Sequence, residues 1–331
     1  MDPNLGRRKC LAVLSGVIGW PIVARAQQDA RMRRIGILTR GIETDRVVQA
    51  QLAGVRNGLA QRGWTEGRNV RFDIRLYDDD PDLLRVHAQE LVHLAPDCIV
   101  AGSRPSTLAL LQQTRTIPIV FFNVGDPIEG GILKSIARPE GNATGATSLY
   151  HSIAGKWLEL LKEAAPRTNR VALVFVPGIV GDVYFPVIDA AAAALGMKVV
   201  RTPYRNGAEL ESAIDAFAAE PNGALVIVPP PPRGVSRALI NRLVLKHRLP
   251  GISANPYDSA DTVMMSYGGG IVEPVRISAS YVDRVLRGAK IDELPVQFPS
   301  KFELVINLRT AKAIGLDIPA TLTARADELI E

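Results

Sequence analysis

From Arg33 onward, short apolar runs alternate with segments of helical period, and few architectures satisfy that alternation. The run RRIGILT (33–39) reads as a strand. After it come Val48, Leu52, Val55 and Leu59, spaced four, three and four, which makes one helix face apolar. In NVRFDIRLY (69–77), Val70, Phe72, Ile74 and Leu76 alternate with polar residues, the period of a strand with one buried face. Asp80 followed by Pro81 reads as a helix N-cap with proline at the first helical position. DCIVA (97–101) and IPIVFF (117–122) are two further strands, and the helix between them starts near Ser103. This strand–helix series predicts a parallel sheet with helices on both faces.

A second series begins near Gly155. Strands RVALVFV (170–176), MKVVRTPY (197–204), ALVIVPP (224–230) and LPGISA (249–254) alternate with helices expected over 183–195, 206–219 and 234–247. Asn206 and Glu209 have capping-box spacing, and Gly196 ends its helix just past the last helical residue. A chain of 331 residues suits two domains rather than one small core. Three stretches rich in Gly or Pro are the candidate connections: RPEGNATGATSLY (138–150), MMSYGGGIVEP (264–274) and LPVQFPSKFELV (294–305). Two α/β lobes joined by several such strands would form a clamshell.

The N-terminus reads as an export signal. Basic Arg7, Arg8 and Lys9 precede an apolar stretch, Cys10 to Val23, broken by Gly16, Gly19 and Pro21. Ala24-Arg25-Ala26 then has the small-x-small pattern of a signal-peptidase site, so residues 1–26 are expected to be removed and the mature protein to be periplasmic. The apolar stretch is shorter than the ~20 residues that span a bilayer. Arg7-Arg8 resembles a twin-arginine signal while Cys10 departs from one, which leaves the export route open. Removal of Cys10 leaves Cys98 alone, a small buried hydrophobe in an apolar run. Residues 1–26 carry four cations against one carboxylate, so they hold most of the net charge of +5. With no basic stripe and 5% aromatic residues, a nucleic-acid partner is not expected.

Enzyme signatures are absent. The chain has no Gly-x-Ser-x-Gly, no phosphate-loop Gly-Lys-Ser/Thr and no Gly-x-Gly-x-x-Gly after the first strand. His87 and His93 share one expected helix but lie six apart, which is not the spacing of a zinc pair, and His151 and His247 are scattered. Asp78-Asp79-Asp80 reads as a solvated helix cap. Asn142-Ala143-Thr144 has the form of a glycosylation site and is read as part of a connection. Neither catalysis, a metal nor a cofactor is expected.

Longer stretches carry a resemblance: WPIVARAQQ, GLAQRGWTEGRNVRFDIR, IPIVFFNVGDPIEGGILKSIARPEGNATG, KWLELLKEAAP, MMSYGGG and the final LPVQFPSKFELVINLRTAKAIGLDIPATLTARADELIE. In this order they resemble the exported substrate-binding components of ABC transporters, in the family related to tryptophan/tyrosine-type binding proteins. The resemblance implies a type I periplasmic-binding-protein fold with three crossovers. One lobe would hold 32–147 and 269–296, the other 148–268 and 297–331. A small-molecule ligand would sit at the carboxyl ends of strands from both lobes, as open α/β sheets prefer. The protein would act as a monomer and hand its ligand to a membrane permease.

Candidate contacts follow from that placement. Ser103-Arg104-Pro105-Ser106 combines two hydroxyls with the free N–H groups of a helix N-terminus, which suit a carboxylate. Relatives carry Gly-Thr-Pro at 103–105, so Arg104 is a departure, either a bidentate anion contact or a surface side chain. In NVGDP (123–127), Asn123 and Asp126 either accept from a ligand amine or hydroxyl, or Asp126-Pro127 is a turn. Thr39 and Arg40 end the first strand at the same rim. On the second lobe, Val176-Pro177-Gly178 stands where relatives have Asn-Pro, and VPPPPR (228–233), which includes Pro230, lacks backbone donors. That wall should be apolar, favouring an aromatic or aliphatic ligand body over a sugar. Ser253, Asn255 and Tyr257 are polar candidates, and Tyr267 could stack on a ring. The expected ligand is an amino acid or related carboxylate, aromatic ones included. The alternatives are a ligand-sensing module of a membrane sensor and an enzyme on the same fold.

Overall fold

The computed structural model describes residues 31–78, 80–128, 130–147, 153–177, 184–228, 235, 237–255, 263–270 and 272–331. The expected signal segment and the candidates Pro230 and Tyr257 lie outside the described residues.

The first sheet has five parallel strands: β1 (Arg33–Arg40), β2 (Val70–Tyr77), β3 (Cys98–Ala101), β4 (Ile119–Phe121) and β5 (Ala143–Gly145), in spatial order β2-β1-β3-β4-β5. Helices α1 (Arg46–Ala60), α2 (Pro81–His93) and α3 (Arg104–Gln113) connect the first four strands. The four apolar residues of α1, spaced four, three and four, are all buried and pack on Ile35 and Ile37 of β1. Side chains of this size contribute roughly 1.5–3 kcal/mol each when fully buried. Asp80 caps α2 as its spacing predicts, its carboxylate accepting from the N–H groups of Asp82 (2.9 Å) and Leu83 (3.0 Å).

The second sheet has seven strands: β6 (Arg170–Phe175), β7 (Lys198–Pro203), β8 (Gly223–Ile227), β9 (Gly251–Ser253), β10 (Met265–Gly268), β11 (Glu303–Asn307) and β12 (Glu328–Ile330). Their order is β12-β11-β10-β9-β8-β6-β7. Helices α4 (Ala154–Ala164), α5 (Tyr184–Ala194), α6 (Gly207–Ala218) and α7 (Arg237–His247) accompany them. The Asn206–Glu209 box forms with a shift. Asn206 Oδ1 accepts from Glu209 N (2.9 Å), while the Glu209 carboxylate accepts from Arg205 N (2.8 Å).

The sheet is mixed rather than purely parallel, because β10 and β11 pair antiparallel, with Tyr267 opposite Leu304. The path of the chain explains this. After β10 it leaves for the first sheet, lays down α8 (Val272–Leu286) there, and re-enters the second sheet from the end it left. Val275, Ala279, Tyr281, Val282 and Leu286 of α8 complete the core under β1, β3 and β4. A Cβ on Gly58 would come within 2.6 Å of the Ala279 Cβ, so only glycine lets α1 and α8 approach this closely.

The chain thus passes between the sheets three times: between Thr147 and Ile153, between Gly268 and Val272, and between Gln297 and Glu303. The first of these begins later than the Gly-rich composition of 138–150 suggests, because residues 143–145 form the edge strand β5. Asn142 is buried just before it, its amide donating to Thr114 O (3.3 Å) and Ile117 O (2.8 Å), which makes it a framework residue of the first lobe.

Candidate functional site

The loop after β3 ends a buried strand and starts α3. Ser103 is the N-cap, and its Oγ accepts from Ser106 N (3.2 Å). Its Oγ is also 2.7 Å from the Ser106 Oγ and 2.7 Å from the Tyr77 hydroxyl at the end of β2, while Ser106 Oγ reaches that hydroxyl at 3.4 Å. The three hydroxyls form a ring in which each has one proton to give. Ser103 and Ser106 are therefore engaged with each other and with Tyr77.

Backbone donors remain. Pro105 has no N–H, Ser106 N is used by the cap, and Thr107 N bonds Ser103 O (3.0 Å). The N–H groups of Ser103 and Arg104 have no acceptor among the described residues, as expected in the first turn of a helix. Thr39, at the end of β1, lies against Gly102, the residue just before them. It is 1% exposed, and its Oγ1 is buried without a hydrogen-bond partner among the described residues. A Cβ at Gly102 would fall 2.1 Å from that oxygen, so glycine is what lets the threonine hydroxyl lie against the loop.

Arg104 runs along the next loop, its Nε donating to Gly130 O (3.3 Å). It thereby ties the start of α3 to the turn that follows Asp126. In that turn Asp126 Oδ1 accepts from Ile128 N (2.8 Å), and Gly130 N bonds Asp126 O (2.9 Å), the arrangement of an Asx turn. Asn123 adopts a left-handed φ of 56° and is half-buried, and Arg40 is half-buried at the end of β1. Thr39, Arg40, Ser103, Arg104, Ser106, Asn123 and Asp126 thus all lie at or just beyond the carboxyl ends of β1, β3 and β4.

On the second lobe, Pro177 follows β6 and Asn255 follows β9, both half-buried, and Asn255 N bonds Ser253 Oγ (3.2 Å). Tyr267 lies on β10 with its ring 5.9 Å from that of Phe302. Two residues here escaped the sequence reading. Tyr184 opens α5 and stacks on Trp157 of α4, with ring centroids 6.0 Å apart. Burial, and after it the negative charge of Asp126, holds the Tyr184 phenol above its ordinary value. Cys98 is no nucleophile, since burial pushes its thiol up to about 12. No group of three His, Cys, Asp or Glu among the described residues is arranged to hold a metal, and no described helix is long and apolar enough to cross a membrane.

The model of the ABC transporter substrate binding protein family matches residues 37–330. The chain belongs to that family. This substrate-binding protein is 26% identical over 271 residues to a tyrosine-binding protein of Clostridioides difficile, covering 80% of this chain and 76% of the relative. Among solved structures it is similar to a conserved domain protein from Vibrio cholerae, with TM-score 0.79 and 27% identity over 90% of this chain and all of that one. It also matches the ABC domain from Streptococcus pneumonia in complex with L-Trp, with TM-score 0.80 and 20% identity over 90% of this chain and 99% of that one. The fold is that of the type I periplasmic-binding-protein clamshell.

Proposed function

We propose that this substrate-binding protein is an exported receptor that captures an aromatic amino acid in the cleft between its lobes and delivers it to the permease of an ABC importer. It acts in the periplasm as a monomer, without cofactor or catalysis. In this reading the lobes comprise 32–147 with 269–296 and 148–268 with 297–331. The observation that carries it is the Thr39 hydroxyl, buried against Gly102 without a partner among the described residues, next in the chain to the open N–H groups of Ser103 and Arg104 at a helix N-terminus. A carboxylate satisfies all three donors and is favoured by the helix dipole. Asp126 takes the ligand ammonium. The tyrosine-binding and L-Trp-bound relatives support this ligand class. Binding shifts the lobes toward closure by as much as the ligand prefers the closed state.

A thermal-shift screen of residues 27–331 tests it with amino acids, aryl carboxylates, sugars and nucleosides. A ligand at about 100 times its dissociation constant adds about 2.7 kcal/mol of stability. A shift with L-tyrosine or L-tryptophan is expected. Shifts with sugars alone would overturn the reading.

A further inference from the structure

Ser103 is held through both its side chain and its carbonyl. Its Oγ has one proton and two lone pairs, and three partners use them: the Tyr77 hydroxyl (2.7 Å), Ser106 Oγ (2.7 Å) and Ser106 N (3.2 Å). The oxygen is saturated whichever neighbour takes its proton. The Ser103 carbonyl accepts from Thr107 N (3.0 Å) and Thr107 Oγ1 (2.8 Å). That carbonyl and the Arg104 N–H belong to one planar trans peptide, so fixing the first aims the second the opposite way. Ser103 thus has no side-chain hydrogen bond left for a ligand, and what it offers is backbone direction.

Tyr77 brings the rigidity of the sheet to this cap. It is 3% exposed, packs in one cluster with Leu38, Leu91 and Leu110, and pairs opposite Arg40 of β1. Ser106 and Thr107 are fully buried. The acceptors and hydroxyls behind the loop are therefore occupied, while the Thr39 hydroxyl and the N–H groups of Ser103 and Arg104 keep no partner among the described residues. We infer that Tyr77 is a positioning residue for the ligand carboxylate. It fills Ser103 Oγ and so holds the peptide whose N–H groups meet the carboxylate, and Thr107 holds the same peptide through its carbonyl. Tyr77 acts through Ser103 rather than on the ligand. This rests on the reading of the loop as a carboxylate site.

Isothermal titration of wild type, Tyr77→Phe and Thr107→Val with L-tyrosine, L-tryptophan and their carboxamides tests the assignment. Each substitution removes one hydroxyl and keeps the shape of the side chain. The carboxamides keep the ammonium and the ring but lack the carboxylate charge, so they depend less on well-aimed N–H donors. Both variants are expected to weaken the amino acids about three- to tenfold and the carboxamides less than about twofold, which narrows the acid-to-amide ratio. A merely structural role would lower the urea midpoint and leave that ratio as in wild type. An unchanged ratio in Tyr77→Phe would therefore overturn the inference alone, and if that variant does not fold, Thr107→Val is read in the same way. Wild-type protein that binds acid and amide equally, or binds neither, would overturn the carboxylate reading and the inference with it.

Discussion

Leaving a buried hydroxyl unpaired costs about 1–3 kcal/mol, and Thr39 bears that cost at the end of β1. A valine there has nearly the same shape and no polar atom to satisfy. Thr39→Val should therefore leave stability in urea unchanged or raise it, while weakening a carboxylate ligand by about 1.5–3 kcal/mol, the range for a hydrogen bond to a charged group. Titration calorimetry beside urea denaturation separates the two effects. Lower stability with unchanged affinity would make Thr39 a framework residue. At this scale the sequence was legible in part. Serine before proline at a strand-to-helix junction marks a cap, and Ser103 is one. That Tyr77 would occupy the two serine hydroxyls was not legible. Its place in an alternating strand gives its face, whereas its partner lies 26 residues away and is met only once β2 and β3 flank β1.

At the scale of elements, the amino end of β1 is strapped to its neighbours by two arginines. Arg33 Nη1 and Arg34 N donate to the Asp97 carboxylate (2.9 and 2.8 Å), and Arg34 Nε donates to Asp73 of β2 (2.6 Å). Burial works against ionising Asp97, but the Arg34 N–H and the Arg33 guanidinium outweigh it and hold the carboxyl below its ordinary value of 3.8. A carboxyl depressed in the folded state stabilises it fully above the unfolded pKa and loses that contribution as pH falls through the folded one. Asp97→Asn should thus cost roughly 1–3 kcal/mol near neutrality and flatten the acid limb of stability below the ordinary carboxylate value of 3.8. Urea midpoints across that range would show it. An acid limb as steep as wild type would assign the acid response to other carboxylates. Periodicity gave the faces of α1 and β2, because burial of one face is a local pattern. It could not give the strap, whose partners are 64, 63 and 39 residues apart, nor the direction of β11, since an alternating run reads the same both ways.

For the whole molecule, the three passages make each lobe discontinuous in sequence, and this has an energetic consequence. The first sheet is built from residues 33–145, yet one face is closed by α8, which arrives after most of the second lobe. Val275, Tyr281, Val282 and Leu286 bury about 1.5–3 kcal/mol each against that face, an upper estimate because the unfolded chain is not fully extended. Their sum, about 6–12 kcal/mol, is comparable with the whole stability margin of a domain, about 5–15 kcal/mol. A fragment of residues 31–147 should therefore lack fixed tertiary structure, with weak near-ultraviolet dichroism and no cooperative urea transition. Joining residues 272–297 to it through a flexible linker should restore both, because α8 returns with Gln297, which bonds Gly145 O (3.0 Å) and Thr147 N (3.0 Å) at the sheet edge. Cooperative folding of 31–147 alone would show that α8 covers the first lobe without completing it. Failure of the joined fragment would place the missing stability in the second lobe, and the two lobes would then have to be treated as one folding unit.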